Sequence, residues 1–286
     1  MYNYNGKNVM IMLCSKCNVK CKHCYIKYEG NFNPTDAAYL ITKLQEKYTV
    51  SLNGTEPILN KQYFPLFKMC NQHKIMTNGL ELIRNPGLIA ELQKNDINEI
   101  GLSYHFGIHD DLSTVKSEDL NKLIVFLKEN NFKVKLMTSL NKNNYKNISQ
   151  ICEKAFSMGA DYIKFTNMIS QGNAKHWDSS DILNKEQLLE VLDEIDSVRK
   201  LYDKNTLTIK RCGSFGPNKE GKNYECIAGK DVVIITPSLD VYKCIFDIDK
   251  GNEIGYVDDG NIFLFDENKT IDTSYCKVLK KYNNIK

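Results

Sequence analysis

The chain has 286 residues, 42% of them apolar and 26% charged, a balance that suits a globular protein with one large domain and room for a small one. A formal net charge of +3 is too small to argue for nucleic acid or an anionic membrane as partner. No run nears the roughly 18 apolar residues of a membrane span, and the first residues hold no signal-peptide apolar stretch. Ten cysteines without such a signal point to a reducing cytoplasm, where thiols serve metals or chemistry and not disulfides.

In chain order, Asn8 to Leu13 is an apolar run of strand length that leads directly into four cysteines within eleven positions. Three of these, Cys17, Cys21 and Cys24, stand at C-x3-C-x2-C spacing, and soft thiolates on one short loop can converge on zinc or an iron–sulfur cluster. Structural zinc sites close with four ligands, often as two C-x2-C pairs, whereas a triad suits a cluster with one open iron. Pro34-Thr35-Asp36 then starts a helix, Ala37 to Lys47, and a strand over Tyr48 to Leu52 runs into Asn53-Gly54-Thr55-Glu56-Pro57. Gly54 there frees the backbone to approach a ligand and Glu56 offers a carboxylate to a cation; an ordinary turn is the plainer alternative.

A helix near Phe64 to Cys70 is followed by a strand, Lys74 to Met76, entering the turn Thr77-Asn78-Gly79. A helix from Pro86 to Gln93 leads to a strand, Ile97 to Leu102, which ends in Ser103-Tyr104-His105-Phe106-Gly107. Helix Ser117 to Glu129 precedes strand Lys133 to Met137, tipped by Thr138, Ser139 and Asn141; helix Ile148 to Ser157 precedes strand Tyr162 to Phe165. Six strand–helix repeats predict an α/β fold, a partial (β/α)6 TIM-like barrel over residues 1–205, open on one side. The loop at 170–183 carries the only tryptophan, Trp177, which with His176 either walls the open face or packs on the surface. Asn184 caps an amphipathic helix running to about Tyr202.

From Thr206 the strands shorten and glycine increases, marking a small β-rich unit over 206–286. It holds Cys212, Cys226, Cys244 and Cys276, with a hairpin of Val232 to Pro237 and Asp240 to Cys244 delivering one thiol at its far end. Four unrelated buried thiols are the alternative. Cys14, Cys70 and Cys152 read as packed thiols, although a thiol near a site, Cys152 or Cys212, is a candidate hydrogen donor.

The cysteine loop resembles the signature of the radical S-adenosylmethionine (radical SAM) superfamily, C-x3-C-x-(aromatic)-C after a first strand, with His23 in the aromatic slot. Gly54-Thr55-Glu56-Pro57 is similar to that family's Gly-Gly-Glu-Pro motif, with Thr55 replacing the second glycine. The resemblance implies that Cys17, Cys21 and Cys24 hold a [4Fe–4S] cluster whose open iron chelates SAM. It implies that Gly54, Thr55 and Glu56 receive the SAM amino group, and that His23 packs near adenine. Ser103 would meet the ribose side, with Thr77 and Ser139 as further cofactor contacts. The C-terminal part resembles the extension called twitch, the short form of SPASM, through Cys226-Ile227-Ala228-Gly229, the strand into Cys244, and Glu253 to Val257. Leu239 departs from it, standing where the family usually has glycine. One auxiliary [4Fe–4S] cluster is implied, on Cys212, Cys226, Cys244 and Cys276; without Cys212, one of its irons opens to substrate.

The family's chemistry is hydrogen abstraction by a 5′-deoxyadenosyl radical. Its twitch and SPASM members mostly crosslink or epimerise ribosomally made peptides, and a minority dehydrogenate small alcohols or amino sugars. A non-catalytic metal-binding scaffold is the rival of another class. With the triad starting at Cys17 there is no room before it for a leader-binding domain, which lowers the peptide reading and leaves recognition to a separate leader-binding protein or to the barrel itself. Flavodoxin or ferredoxin is the expected electron donor.

Overall fold

The computed structural model describes residues 1–177, 180–203, 206–212, 228–229 and 231–266. Its architecture follows from alternation along the strands. In β2 (Asn8–Met12), Val9 and Ile11 are buried in one large core with Ala37, Leu40, Ile41 and Leu44 of α1 (Pro34–Gln45). Met12 points the other way, into a smaller cluster with Tyr28, Ile234, Tyr242 and Ile248. Strand side chains alternate between faces, so one face meets helices and the other lines the barrel interior. The same split in β6 (Lys133–Leu140) buries Val134, Leu136, Thr138 and Leu140 and turns the lysines, Met137 and Ser139 to the inner face.

The remaining barrel strands are β3 (Thr49–Asn53), β4 (Lys74–Thr77), β5 (Glu99–Ser103), β7 (Tyr162–Asn167) and β8 (Thr208–Arg211). Helices α2 (Phe64–Met69), α3 (Leu80–Arg84), α4 (Leu88–Lys94), α6 (Ser117–Glu129), α7 (Ile148–Ser157) and α8 (Lys185–Arg199) supply the outer layer, with a short α5 (His109–Leu112). Strands β4-β5-β6-β7-β8 form one parallel sheet, and β2 pairs parallel with β3 in a second. The six expected repeats are present, and β8 adds a seventh parallel strand after α8.

No strand hydrogen bonds join β3 to β4, and a side chain closes that seam. The Gln72 amide accepts from Leu52 N at 2.8 Å and donates to Leu52 O at 2.9 Å and to Lys74 O at 2.8 Å. One primary amide has the donor and acceptor of a peptide group, so Gln72 replaces one rung of the ladder.

Four antiparallel strands complete the second sheet: β9 (Val232–Ile235), β10 (Asp240–Tyr242), β11 (Gly255–Asp258) and β12 (Asn261–Leu264). β9 lies parallel beside β2, and β1 (Tyr2–Asn3) pairs with β12. The expected hairpin is therefore β9–β10, built onto the strand that launches the cysteine loop. Its turn holds Leu239 at φ +66, the left-handed region where glycine is favoured, so a leucine is accommodated at a cost of about 1–2 kcal/mol. A hairpin the sequence reading missed, β11–β12, turns on Asp259 and Gly260, both at positive φ as a two-residue type I′ turn requires.

Helix starts follow their caps. Asn33 accepts from Thr35 N at 2.8 Å and Pro34 occupies the first turn, so α1 begins three residues before the expected Ala37. Asn184 and Gln187 form a reciprocal capping box at α8, as the sequence suggested. Among the described residues no helix is long and apolar enough to cross a membrane.

Candidate cluster and cofactor site

The cysteine loop connects the end of β2 to α1 and is tied at its base. Leu13 N donates to Asn53 O at 2.7 Å, Phe32 N to Leu13 O at 2.9 Å and Ser15 N to Gly30 O at 3.0 Å. Two other segments grip its far side. Lys22 N donates to Leu112 O at the end of α5 (2.9 Å), while Asn173 donates from N to Cys24 O and from Nδ2 to Cys21 O, both at 2.8 Å. Gly172, beside that clamp, has φ +59, and a Cβ there would lie 2.2 Å from Cys24 O. Only glycine lets the loop after β7 approach this closely.

Cys17 is exposed and Cys21 and Cys24 are half-buried. Val19 N and Asn78 Nδ2 donate to Cys17 Sγ at 3.4 and 3.6 Å, and Cys21 Sγ lies 4.0 Å from Ser113 Oγ. Burial raises the pKa of Cys17, and that of Cys21 to about 11, so ligation must displace protons. Among the described residues, no three His, Cys, Asp or Glu side chains already surround the place of a single metal ion. An iron–sulfur cluster binds each thiolate to a different iron, so its ligands stand farther apart than those of one zinc. Three soft donors on one loop, with N–H groups aimed at the Cys17 sulfur, fit that larger group.

Beside the loop, Glu56 is buried, accepting from the Thr77 hydroxyl and from Asn78 N at 2.7 Å. Burial pushes its carboxyl up to about 7 against the pull of these two bonds. Thr77, expected at the cofactor, donates its hydroxyl to Glu56. Asn78 ties the two parts together, since its side chain reaches both Cys17 Sγ and Asn18 Oδ1 (2.9 Å). The sequence marked Asn78 only as a turn residue. A Cβ on Gly54 would meet Cys14 Sγ at 2.9 Å, so Cys14 explains this glycine before any ligand does. Thr55 N donates to Cys14 O at 2.8 Å and its hydroxyl lies 3.3 Å from that of Tyr28. A cavity of about 310 Å³ reaches Glu56 between Cys14, Asn31, Asn60 and Tyr63.

His23 sits in a histidine cluster that the sequence did not reveal. Its ring meets His105 edge-on at 4.4 Å, and His105 stacks on His109 at 5.5 Å. Ser139 N donates to His105 Nδ1 at 3.0 Å, and His105 N to His109 Nδ1 at 3.3 Å. Burial lowers all three pKa values, to about 4 for His23 and His109, so the rings are neutral near pH 7. His23 Nδ1 and His109 Nε2 are buried without a hydrogen-bond partner, two polar atoms left for a molecule bound beside the loop. Ser103 and Ser139 lie at the carboxyl ends of β5 and β6, and Ser139 Oγ is 3.0 Å from Thr166 Oγ1.

Of the second cysteine set, Cys212 follows β8 and donates its N–H to Phe165 O at 2.9 Å. Cys244 caps the short turn Ile245–Asp247, its sulfur accepting from Phe246 N at 3.5 Å. The Phe246 ring meets Tyr25 edge-on at 4.6 Å, and the Tyr25 phenol lies in the field of Cys24, Cys244 and Cys212, which together with burial raises its pKa. The triad's last cysteine and two members of the second set thus gather around one tyrosine. Lys27 also forms an ion pair with Asp249 across the same gap. Cys226 and Cys276 lie outside the described residues.

Cys152 is not brought to the site. It is fully buried in α7 among helical core residues on the outer face of the sheet, where burial pushes its thiol up to about 12. The hydrogen-donor role expected for it fails on position. Trp177 packs against the buried cluster of Ile108, Leu112 and Met168.

No family model matches the chain, and no curated protein matches it. Solved structures do share its fold. At identities of 13–16% the likeness is one of architecture, an α/β fold with a partial barrel. SuiB of Streptococcus suis bound to precursor peptide SuiA matches with TM-score 0.67 and 15% identity, over 86% of this chain and 61% of SuiB. The chain therefore spans about three fifths of the length of SuiB, which has also been solved with S-adenosylmethionine. anSMEcpe with bound AdoMet matches with TM-score 0.65 and 14% identity, over 94% of this chain and 81% of that one. With AdoMet and the Cp18Cys peptide it matches with TM-score 0.64 and 13% identity, over 96% and 82%.

Proposed function

We propose that the chain is a radical SAM enzyme that modifies a ribosomally made peptide, by crosslink formation or epimerisation, with the help of one auxiliary [4Fe–4S] cluster. The observation that carries this reading is the thiol triad at the carboxyl end of β2, clamped by Asn173 and standing beside buried Glu56. Cys17, Cys21 and Cys24 hold the first cluster. When bound, cluster and SAM together supply a 5′-deoxyadenosyl radical that removes hydrogen from the substrate. Val19 and Asn78 place N–H dipoles on the Cys17 sulfur and so favour the thiolate. Glu56, aligned by Thr77 and Asn78, accepts the cofactor's ammonium, and the neutral imidazoles of His23 and His109 face its uncharged part. Cys212, Cys226, Cys244 and Cys276 hold the auxiliary cluster. Tyr25 lies in the field of cysteines from both sets.

Peptide is preferred as substrate because SuiB and anSMEcpe were both solved with peptides. A separate protein would recognise the leader, flavodoxin or ferredoxin would deliver electrons, and the cytoplasm would keep the thiols reduced. The test is anaerobic reconstitution followed by reduction in the presence of SAM. Release of 5′-deoxyadenosine supports the enzyme, whereas tightly bound zinc and intact SAM would leave only a metal-binding scaffold. Mass spectrometry of a co-expressed precursor separates loss of a hydrogen pair, for a crosslink, from unchanged mass with an inverted centre. Oxidation of an added alcohol or amino sugar with no peptide product would replace the peptide reading.

A further inference from the structure

The barrel's inner face is unusually basic. In parallel sheets, residues in register share a face, and three successive inner rows can be read from the pairing. Lys74 and Glu99 share the lowest row, Met76, Gly101, Lys135 and Tyr162 the next, and Ser103, Met137 and Lys164 the one above. The top row contains Ser103 and lies one step below Ser139 and Thr166, so the lysines climb toward the mouth where the cysteine loop sits.

Lys135 pairs with Glu99 and lies over the Tyr162 ring at 5.6 Å. Among the described residues neither Lys74 nor Lys164 has a carboxylate within ion-pair distance. Five ammonium groups thus share this face with one carboxylate, Lys74, Lys135 and Lys164 half-buried and Lys133 and Lys210 exposed. Burial and the nearby Lys135 and Lys164 lower the pKa of Lys74 despite Glu99. Like charges gathered away from water destabilise the fold unless an anion joins them. A cavity of about 320 Å³ opens at the foot of the track, lined by Met10, Ser51, Asn53, Lys74, Met76 and Glu99. From the Lys74 row to the Lys164 row is about 13 Å along the strands, the reach of roughly four extended residues and more than one small anion spans.

We infer that this face receives an acidic stretch of the substrate peptide, whose carboxylates pair with Lys74 and Lys164 and carry the reacting residue up toward the Ser103 row. The inference rests on the peptide reading proposed above and names the class of peptide. Lys135 is already neutralised by Glu99 and Lys133 and Lys210 are exposed to water, so the two half-buried unpaired lysines, Lys74 and Lys164, set the preference.

The test uses cluster-loaded protein and two fluorescein-labelled peptides of equal length, one glutamate-rich and one with glutamine at the same positions, read by anisotropy. The glutamate peptide is expected to bind about tenfold or more tighter, with an affinity that falls steeply with added salt. The Lys74→Gln/Lys164→Gln variant should lose most of that preference while its SAM affinity is unchanged. Because it removes repulsion, its thermal midpoint should be no lower than the parent's. Equal binding of the two peptides, a preference that survives in the variant, or displacement by free glutamate as effective as by unlabelled peptide would overturn the inference. Peptide-independent release of 5′-deoxyadenosine is read in parallel. If it persists while the preference is absent, the acidic track fails and the enzyme stands; if it is absent, the enzyme reading fails on its own terms.

Discussion

Replacing Glu56 by glutamine isolates the cost of a buried carboxylate at the site. Its carboxyl is raised from 4.5 to about 7, chiefly by burial, so between these values the folded protein holds a proton that the unfolded chain has lost. Stability contributed by that proton is present at low pH and disappears as pH rises through 7. Full ionisation corresponds to a folding penalty of about 3 kcal/mol, falling to about 1 kcal/mol near pH 5.5. Glutamine carries no such penalty, but its single carbonyl oxygen serves only one of the two donors, Thr77 and Asn78 N, which costs about 1 kcal/mol at every pH. The difference in unfolding free energy between Glu56→Gln and parent should therefore shift by about 2 kcal/mol in favour of the variant from near pH 5.5 to near pH 8. Chemical denaturation of the metal-free protein at both pH values measures it. A difference that does not move with pH, or moves the other way, would show that the carboxylate is already ionised and stabilised by its bonds. The same logic predicts tighter SAM binding as pH rises through 7, lost in the variant.

Gln72→Leu should lower stability by about 1–3 kcal/mol, because the Leu52 N–H loses its acceptor at the seam between the sheets; denaturant midpoints measure this. Gly172→Ala would drive a methyl into Cys24 O at strained φ, and a loss of about 2–4 kcal/mol with lower iron content is expected. Cys244→Ala should reduce bound iron from about eight atoms to about four while SAM cleavage persists. Unchanged iron in that variant would argue against an auxiliary cluster.

The barrel was legible because each repeat carries its own signal: α6 and α7 begin and end where the apolar periodicity and flanking polar residues indicated. The three cysteines of the triad stand out because they are close in sequence. What was not legible depends on distant partners. His105 and His109 become a cluster with His23 only when the end of β5 meets the cysteine loop. Gly172 and Asn173 lie some 150 positions from the cysteines whose carbonyls they meet, within a stretch that reads as a plain loop. Gln72 acts through a side-chain amide that mimics backbone, and no hydrophobic pattern reports that. Leu239 shows the reverse case: the sequence departs from the expected glycine, yet the backbone keeps the left-handed turn and the strand pairing around it.

The pairing of β9 with β2 has a consequence for how the molecule is made. The strand that launches the cysteine loop finds one neighbour in β3 early, but its other edge waits for residues 232–235, over two hundred positions later. Pairings so far apart in the chain form slowly. During synthesis β2 would spend that interval with an open flank, so the cluster proposed above is expected to be inserted late and to favour molecules whose last sheet has closed.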